Sequence, residues 1–122
     1  MTKKFKYSKS FSPPAPVLPA KLENPSSGLT VELDGKLDTG ADITVIPDSA
    51  VQKLDLPPRG TIRIKDDKER PLYFTNIKIA THNFERVMVT SLQKEYILVG
   101  RDILNQLKIL LDGKKLEFEI VE

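Results

Sequence analysis

The residues best suited to chemistry lie in one short segment, residues 37–42, which read Leu-Asp-Thr-Gly-Ala-Asp. Apolar residues flank it on both sides, so a carboxylate, a hydroxyl and a glycine are expected between two buried strands. Burying such polar groups costs free energy unless they are paired. An ordinary surface turn, the alternative for an isolated Asp-Thr-Gly, would instead carry its Asp to solvent. The context therefore favours a functional loop, with Asp38 as the reactive group.

Other chemistries find little support in the sequence. His82 is the only histidine and there is no cysteine, so a metal site lacks ligands and thiol chemistry is impossible. No Gly-x-Ser-x-Gly or comparable context accompanies the serines, which argues against a nucleophilic serine. Glu95 and the acidic residues between positions 66 and 69 are interpreted as solvated charges. We expect neither a metal nor another cofactor.

Composition restricts the class of protein further. The 122 residues are 39% hydrophobic and 30% charged, the balance of a globular protein with one core. The net charge of +2 is too small to indicate nucleic-acid binding, and the basic run from Lys3 to Lys9 is interpreted as a solvated tail. No apolar run approaches the roughly 18 residues of a membrane span, and no secretory signal is apparent. A cytoplasmic protein is expected.

Many short apolar stretches, separated by turn residues about every ten positions, predict an all-β domain closed into a small barrel with one or two short helices. Three prolines at 13, 14 and 16 predict an extended N-terminal arm over residues 1–16. The domain itself is predicted to span 17–122. A first strand is expected over 17–23, and Asp34-Gly35 is expected to form a turn inside the next apolar stretch.

Two short helices are predicted after buried strands. The first should begin near Asp48 and end near Leu54, with Asp48 or Ser49 as its N-cap. The second is expected over residues 101–107, with Asp102 near its start. The apolar positions of this second segment are interpreted as core.

The segment 37–42 resembles the active-site motif of retropepsins, the single-domain aspartic peptidases of retroviruses and their cellular and bacterial relatives. A second segment, 97–104, reads Ile-Leu-Val-Gly-Arg-Asp-Ile-Leu and is similar to the apolar-apolar-Gly-Arg-Asp/Asn stretch that precedes the family's helix. The proline-rich residues 13–19 look like the entry of bacterial members. The resemblance covers about residues 13–120, and two ordered motifs are far more specific than either alone.

The resemblance implies an aspartic endopeptidase acting on a peptide or protein. Such enzymes use two adjacent carboxyls that share one proton, because like charges a few Å apart do not both ionise easily. The pair activates a water and titrates as a unit. This chain has a single Asp-Thr-Gly, so the simplest assembly is a two-fold homodimer in which each subunit contributes Asp38.

The resemblance also implies roles for the neighbours of Asp38. Thr39 would make a cross-subunit hydrogen bond, and Gly40 would allow close backbone approach and present a carbonyl to substrate. Ala41 continues the loop. Asp42 would form a partly buried ion pair with Arg101 beneath the site.

The lid over the site is where this sequence departs from viral retropepsins, which close a glycine-rich hairpin over the substrate. The corresponding hairpin spans residues 61–71 and has no glycine at its tip. The candidate flap residues are Ile64, Lys65, Asp66, Asp67 and Lys68. A solvated hairpin with no catalytic role is the alternative for this segment. The alternative function is a non-catalytic retropepsin-fold module for dimerisation or peptide binding.

Overall fold

Short strands dominate the computed structural model, which describes residues 2–63 and 67–121. The elements in this part of the chain are β1 (Thr2–Lys6), β2 (Val17–Glu23), β3 (Thr30–Leu37), β4 (Val45–Pro47), α1 (Asp48–Leu54), β5 (Thr61–Arg63), β6 (Glu69–Ile79), β7 (His82–Leu92), β8 (Ile97–Val99), α2 (Arg101–Leu104), β9 (Lys108–Asp112) and β10 (Glu117–Val121).

Six of these strands close into a barrel. The order is β2-β3-β8-β4-β7-β6, and β6 pairs back onto β2, while β5 extends the sheet from β6. The closing pair is antiparallel, with Ala20 opposite Ile79 and Leu22 opposite Ile77. The prediction of a closed all-β barrel with two short helices is confirmed.

Alternation along the strands explains where the core lies. In β2, Leu18, Ala20 and Leu22 are buried, while Pro19 and Lys21 between them are exposed. Because successive side chains of a strand point to opposite faces, this period of two directs one face into the barrel. Each fully buried Leu or Ile contributes about 1.5–3 kcal/mol relative to an exposed one. The core therefore fixes the strand registers that position the site.

Gly35 corrects one prediction, because β3 runs straight through Asp34-Gly35 without a turn. A Cβ built on Gly35 would lie 3.1 Å from Cγ2 of Val99 and 3.5 Å from the carbonyl oxygen of Leu18. The glycine therefore permits close packing of neighbouring strands, a role that glycine also takes inside strands.

A second sheet of three strands, in the order β1-β10-β9, lies outside the barrel circuit. Here the interpretation of the lysine run as a solvated tail is wrong, because residues 2–6 pair antiparallel with β10. The ring of Phe5 stacks on Phe118 at 5.1 Å, and Phe118 is fully buried. The lysines of β1 stay exposed. The boundary between arm and domain at residue 16 remains a prediction.

The two helices follow β4 and β8 directly. The first covers Asp48–Leu54 as predicted, but its N-cap is Pro47 and no side chain caps it, so the predicted cap by Asp48 or Ser49 is wrong. The second ends at Leu104, three residues earlier than predicted. In the described ranges neither helix has the length and apolar character required to span a bilayer. The cytoplasmic location remains a prediction.

Candidate active site

The loop that carries Asp38 crosses the end of a buried strand. β3 runs parallel to β8 on one side, with Leu37 opposite Val99, and β4 pairs antiparallel with β8 on the other side, with Val45 opposite Leu98. The chain between β3 and β4, residues 38–44, must therefore pass over the C-terminal end of β8. This crossing brings the Asp38 loop against the start of α2.

Asp38 is held by backbone contacts on both sides. Its N–H donates to the carbonyl of Val99 at 2.9 Å, and its Oδ1 accepts the N–H of Gly40 at 2.9 Å. The Ala41 N–H donates to the Asp38 carbonyl at 3.2 Å. The side chain is half-buried. One carboxylate oxygen is thus oriented by the loop itself, which fixes the direction of the Asp38 side chain.

A cavity of about 270 Å³ opens beside this carboxylate. Its walls are mostly aliphatic, as in most sites that bind an organic ligand. The residues that line it are Asp38, Gly40, Ala41, Asp42, Ile43, Val45, Ile62, Arg63, Leu92 and Leu98.

Arg101 holds the loop from below through three contacts. Its Nη1 donates to the carbonyl of Thr39 at 2.6 Å, its Nη2 donates to Oδ1 of Asp42, and its backbone N–H donates to the carbonyl of Ala41 at 2.9 Å. The expected contact between Asp42 and Arg101 is therefore present. In the single chain the Asp42 side chain is 79% exposed and the Arg101 side chain 43% exposed. The expectation of a partly buried pair is therefore wrong for Asp42.

Thr39 projects from the same loop into solvent. The residue is exposed, and its hydroxyl makes no hydrogen bond to residues 2–63 or 67–121. A polar side chain at the tip of a fixed loop is available for contacts outside the chain.

Sequence reasoning missed the link between Thr44 and Asp102, which ties the end of the loop to α2. Asp102 accepts the Thr44 hydroxyl at 2.8 Å, the Thr44 N–H at 3.1 Å and the Ile103 N–H at 2.9 Å. The Thr44 oxygen in turn accepts the buried N–H of Gly100 at 3.1 Å. Thr44 is fully buried. The sequence did contain an indication of this link. Thr44 is the one hydroxyl residue within the apolar run 43–46, and a buried hydroxyl needs a hydrogen-bond partner.

Gly100 fits beneath the crossing loop only because it has no side chain. A Cβ at this position would lie 2.6 Å and 2.7 Å from the carbonyl carbon and oxygen of Ile43, and 3.0 Å from the oxygen of Ala41. All three are backbone atoms, which cannot rotate away. Each residue of the Gly-Arg-Asp sequence thus has its own role. Gly100 leaves room for the crossing loop, Arg101 donates hydrogen bonds to it, and Asp102 accepts hydrogen bonds from Thr44.

The two strands at the base of the predicted hairpin are β5 and β6, which pair antiparallel with Arg63 opposite Glu69. Arg63 donates to the carbonyl of Asp67 at 3.1 Å and lies 3.8 Å from the carboxylate of Glu69. Asp67 and Lys68 are exposed, whereas three of the candidate flap residues, Ile64, Lys65 and Asp66, lie outside the described residues. Ile62 and Arg63 line the cavity beside Asp38, so the base of the hairpin borders the site.

A closed six-stranded barrel of this kind is the fold of retropepsin-like aspartic proteases. The chain belongs to the retroviral aspartyl protease family, whose model matches residues 14–112. A search among curated proteins finds no match.

Solved structures show the same fold. A retropepsin-like aspartic protease from Rickettsia conorii aligns with a TM-score of 0.75 at 15% identity, over 98% of this chain and 90% of its own. EIAV protease in complex with an inhibitor aligns with a TM-score of 0.57 at 20% identity, over 75% of this chain and 86% of its own. The foamy viral protease-reverse transcriptase aligns with a TM-score of 0.60 at 26% identity over 77% of this chain, which spans only 12% of that protein.

Proposed function

We propose that this chain is one subunit of a homodimeric aspartic endopeptidase that hydrolyses peptide bonds with a water activated by two Asp38 carboxyls, one from each subunit. The observation that carries the proposal is the fixed Asp38 carboxylate at the edge of an aliphatic cavity. Membership of the retroviral aspartyl protease family supports the same reaction.

In the proposed mechanism the two carboxyls share one proton and bind a water between them. The ionised carboxylate takes a proton from the water as the water oxygen attacks the peptide carbonyl carbon. The protonated carboxyl donates its proton to the carbonyl oxygen. The carboxyl that took the proton from water then donates it to the leaving nitrogen, the C–N bond breaks, and one hydroxyl of the tetrahedral intermediate returns a proton to the other carboxylate as the new carboxylic acid forms. No covalent enzyme intermediate is required.

The need for two carboxyls is the reason for two copies. The family motif occurs once in this sequence, so a second Asp38 must come from another chain. The exposed Thr39 hydroxyl, which has no partner within the described ranges, supports a contact with the opposite loop. In the dimer, two cavities with aliphatic walls would face a substrate peptide, which favours apolar side chains flanking the cleaved bond.

Digestion of a diverse peptide library tests the proposal. The wild-type chain should cleave a subset of peptides, and Asp38→Asn should cleave none while keeping fold and dimer, because the amide is nearly isosteric with the carboxyl. Asp34→Asn, an exposed change in β3, is the matched control and should leave cleavage unchanged. If a wild-type dimer cleaves nothing between about pH 3 and 8, a non-catalytic peptide-binding or dimerisation module becomes the better interpretation.

A further inference from the structure

Two lysines face each other across the closing pair of the barrel, β2 and β6. Lys21 lies directly opposite Lys78, and both are exposed on the outer surface because their neighbours along each strand are buried. Like charges at opposed positions of a strand pair are unfavourable. On its other side Lys21 lies opposite Glu32 of β3, which offsets only part of the repulsion. A bound negative charge between the two lysines would remove the rest.

A cavity of about 240 Å³ lies beside these lysines and is lined by residues of β1, β2, β3 and β6. Lys3 of β1 brings a third positive charge to it, and the ring of Phe5 contributes apolar surface together with Ala20 and Ala80. This cavity shares no residue with the one beside Asp38. It is therefore a separate site, with charged and apolar parts.

The charges around this cavity are available to a ligand. Lys3, Lys21 and Lys78 form no ion pair in the parts of the chain that the structure describes, 2–63 and 67–121. Three ammonium groups and the carboxylate of Glu32 leave an excess of two positive charges. A phosphate monoester carries a charge of about −1.5 to −2 at pH 7, which matches this excess. A carboxylate, with a single negative charge, would leave it half neutralised.

We propose that this cavity binds a small soluble phosphate monoester, with its phosphate between Lys3, Lys21 and Lys78 and its organic group against the ring of Phe5. Lysine binds phosphate as a flexible point charge, so three lysines from two sheets can converge on one group. The dianion converts the repulsion between Lys21 and Lys78 into two attractions. The ring of Phe5 is itself held by stacking on Phe118 at 5.1 Å, so the apolar surface is preformed.

Binding at this site would connect β1 to the closing pair of the barrel and stabilise the folded chain by mass action. The site is independent of the proposed peptidase. In the barrel order β2-β3-β8-β4-β7-β6, the pair β2 and β6 lies across the barrel from β8 and β4, which flank the Asp38 loop.

Nuclear magnetic resonance titration of the full chain tests the proposal, with phenyl phosphate as the probe. At constant ionic strength, backbone amide signals of β1, β2 and β6 around the cavity should shift and saturate, with a Kd below about 1 mM. Inorganic phosphate should shift the same signals but bind more weakly, because it makes no contact with Phe5. Benzoate, which has the ring and a single negative charge, should bind more weakly than phenyl phosphate.

Variants identify the groups that bind the phosphate. Lys21→Ala and Lys78→Ala should each raise the Kd of phenyl phosphate at least about tenfold, since each removes a charge-assisted contact. Lys114→Ala, an exposed lysine in the turn before β10, is the matched control and should leave the Kd unchanged. Lys78→Glu places opposite charges across the strand pair. It should raise the melting temperature of the ligand-free chain and abolish binding, which separates loss of the site from loss of the fold.

The outcomes decide the proposal without reference to cleavage. Saturable binding that weakens in Lys21→Ala and Lys78→Ala but not in Lys114→Ala upholds it. A response that does not saturate, or an equal loss of affinity in all three variants, would show general attraction to a positive surface and overturn it. Benzoate binding as tightly as phenyl phosphate would overturn the assignment of a phosphate. Cosedimentation with vesicles of phosphatidylcholine and phosphatidic acid, without binding of phenyl phosphate, would overturn it in favour of a membrane surface.

Discussion

The hydroxyl of Thr44 donates to the carboxylate of Asp102 at 2.8 Å, across a sequence separation of 58 residues. The first residue ends the Asp38 loop and the second lies in the helix below it. This bond, with the Thr44 N–H bonded to the same carboxylate, fixes the far end of the loop. Asp38 is therefore held at both ends of its loop, by Val99 on one side and by Asp102 on the other.

Removing the Asp102 carboxylate should destabilise the fold. Asp102→Ala leaves the buried Thr44 hydroxyl and N–H without their acceptor, and unsatisfied buried groups cost about 1–3 kcal/mol each. We expect the free energy of unfolding to fall by about 2–4 kcal/mol in urea denaturation. Asp34→Ala, an exposed carboxylate in β3, should change it by less than about 0.5 kcal/mol. Equal effects of the two variants would show that the Asp102 network contributes nothing.

Adding one methyl group at Gly100 should disrupt the site. The new Cβ would meet backbone atoms of Ile43 at 2.6 and 2.7 Å, so the loop above must move. Gly100→Ala should lower the free energy of unfolding by a few kcal/mol, on the order of an overpacked core position, and abolish cleavage. Gly113→Ala is the matched control, because no atom lies within 4 Å of its Cβ position. A fully active Gly100→Ala would contradict the geometry.

Arg101 should matter more for activity than for stability. Its ion pair with Asp42 is exposed, and exposed pairs contribute about 0–1 kcal/mol. Arg101→Ala should therefore shift the unfolding free energy by about 1 kcal/mol or less. The loss of the bond to Thr39 frees the loop, and small misplacements of a catalytic group cost about 100-fold in rate. We expect kcat to fall by that order, with partial recovery in Arg101→Lys.

The exposed Arg59 provides the comparison for Arg101, since Arg59→Ala should leave both rate and stability unchanged. A large loss of stability in Arg101→Ala with an unchanged kcat per folded dimer would contradict a positioning role.

Cleavage should depend on pH as a bell-shaped curve with an acidic optimum. At low pH both carboxyls are protonated and no base remains, whereas at high pH both are ionised and no proton donor remains. The profile of kcat/KM with a fluorogenic peptide measures this. A rate that rises steadily to alkaline pH would argue for a different reaction.

Local patterns in the sequence predicted much of this fold. The strand predicted over residues 17–23 coincides with β2, and the charged stretch after Ile62 predicted the polar tip of a hairpin. Contacts between distant segments explain the errors. Glycine after Asp34 is typical of a turn, but Gly35 lies within β3. Its lack of a side chain allows close packing against Val99. The lysine run reads as a tail because its partner, β10, is more than 100 residues away in sequence.

The same limit applies to the candidate site. The candidate residue Asp38 and its neighbours are recognisable from type and spacing. Thr44 reads as an ordinary residue of an apolar strand, and only the crossing of the loop over β8 brings it to Asp102. The pairing of Arg101 with Asp42 was predicted from the resemblance. The exposure of the pair could not be predicted, because it depends on how distant segments pack around it.

The crossing of the Asp38 loop over β8 also sets the order in which the parts of the candidate site form during synthesis. β8 and α2 span residues 97–104, and the strand pairs that they complete join segments far apart in sequence. Non-local pairing of this kind is slow, because the chain loses entropy on loop closure before the contacts that compensate for this loss have formed. Asp38 leaves the ribosome some sixty residues before Val99 and Arg101. In a nascent chain the Asp38 loop therefore lacks the contacts that hold it until Arg101 and Asp102 have emerged.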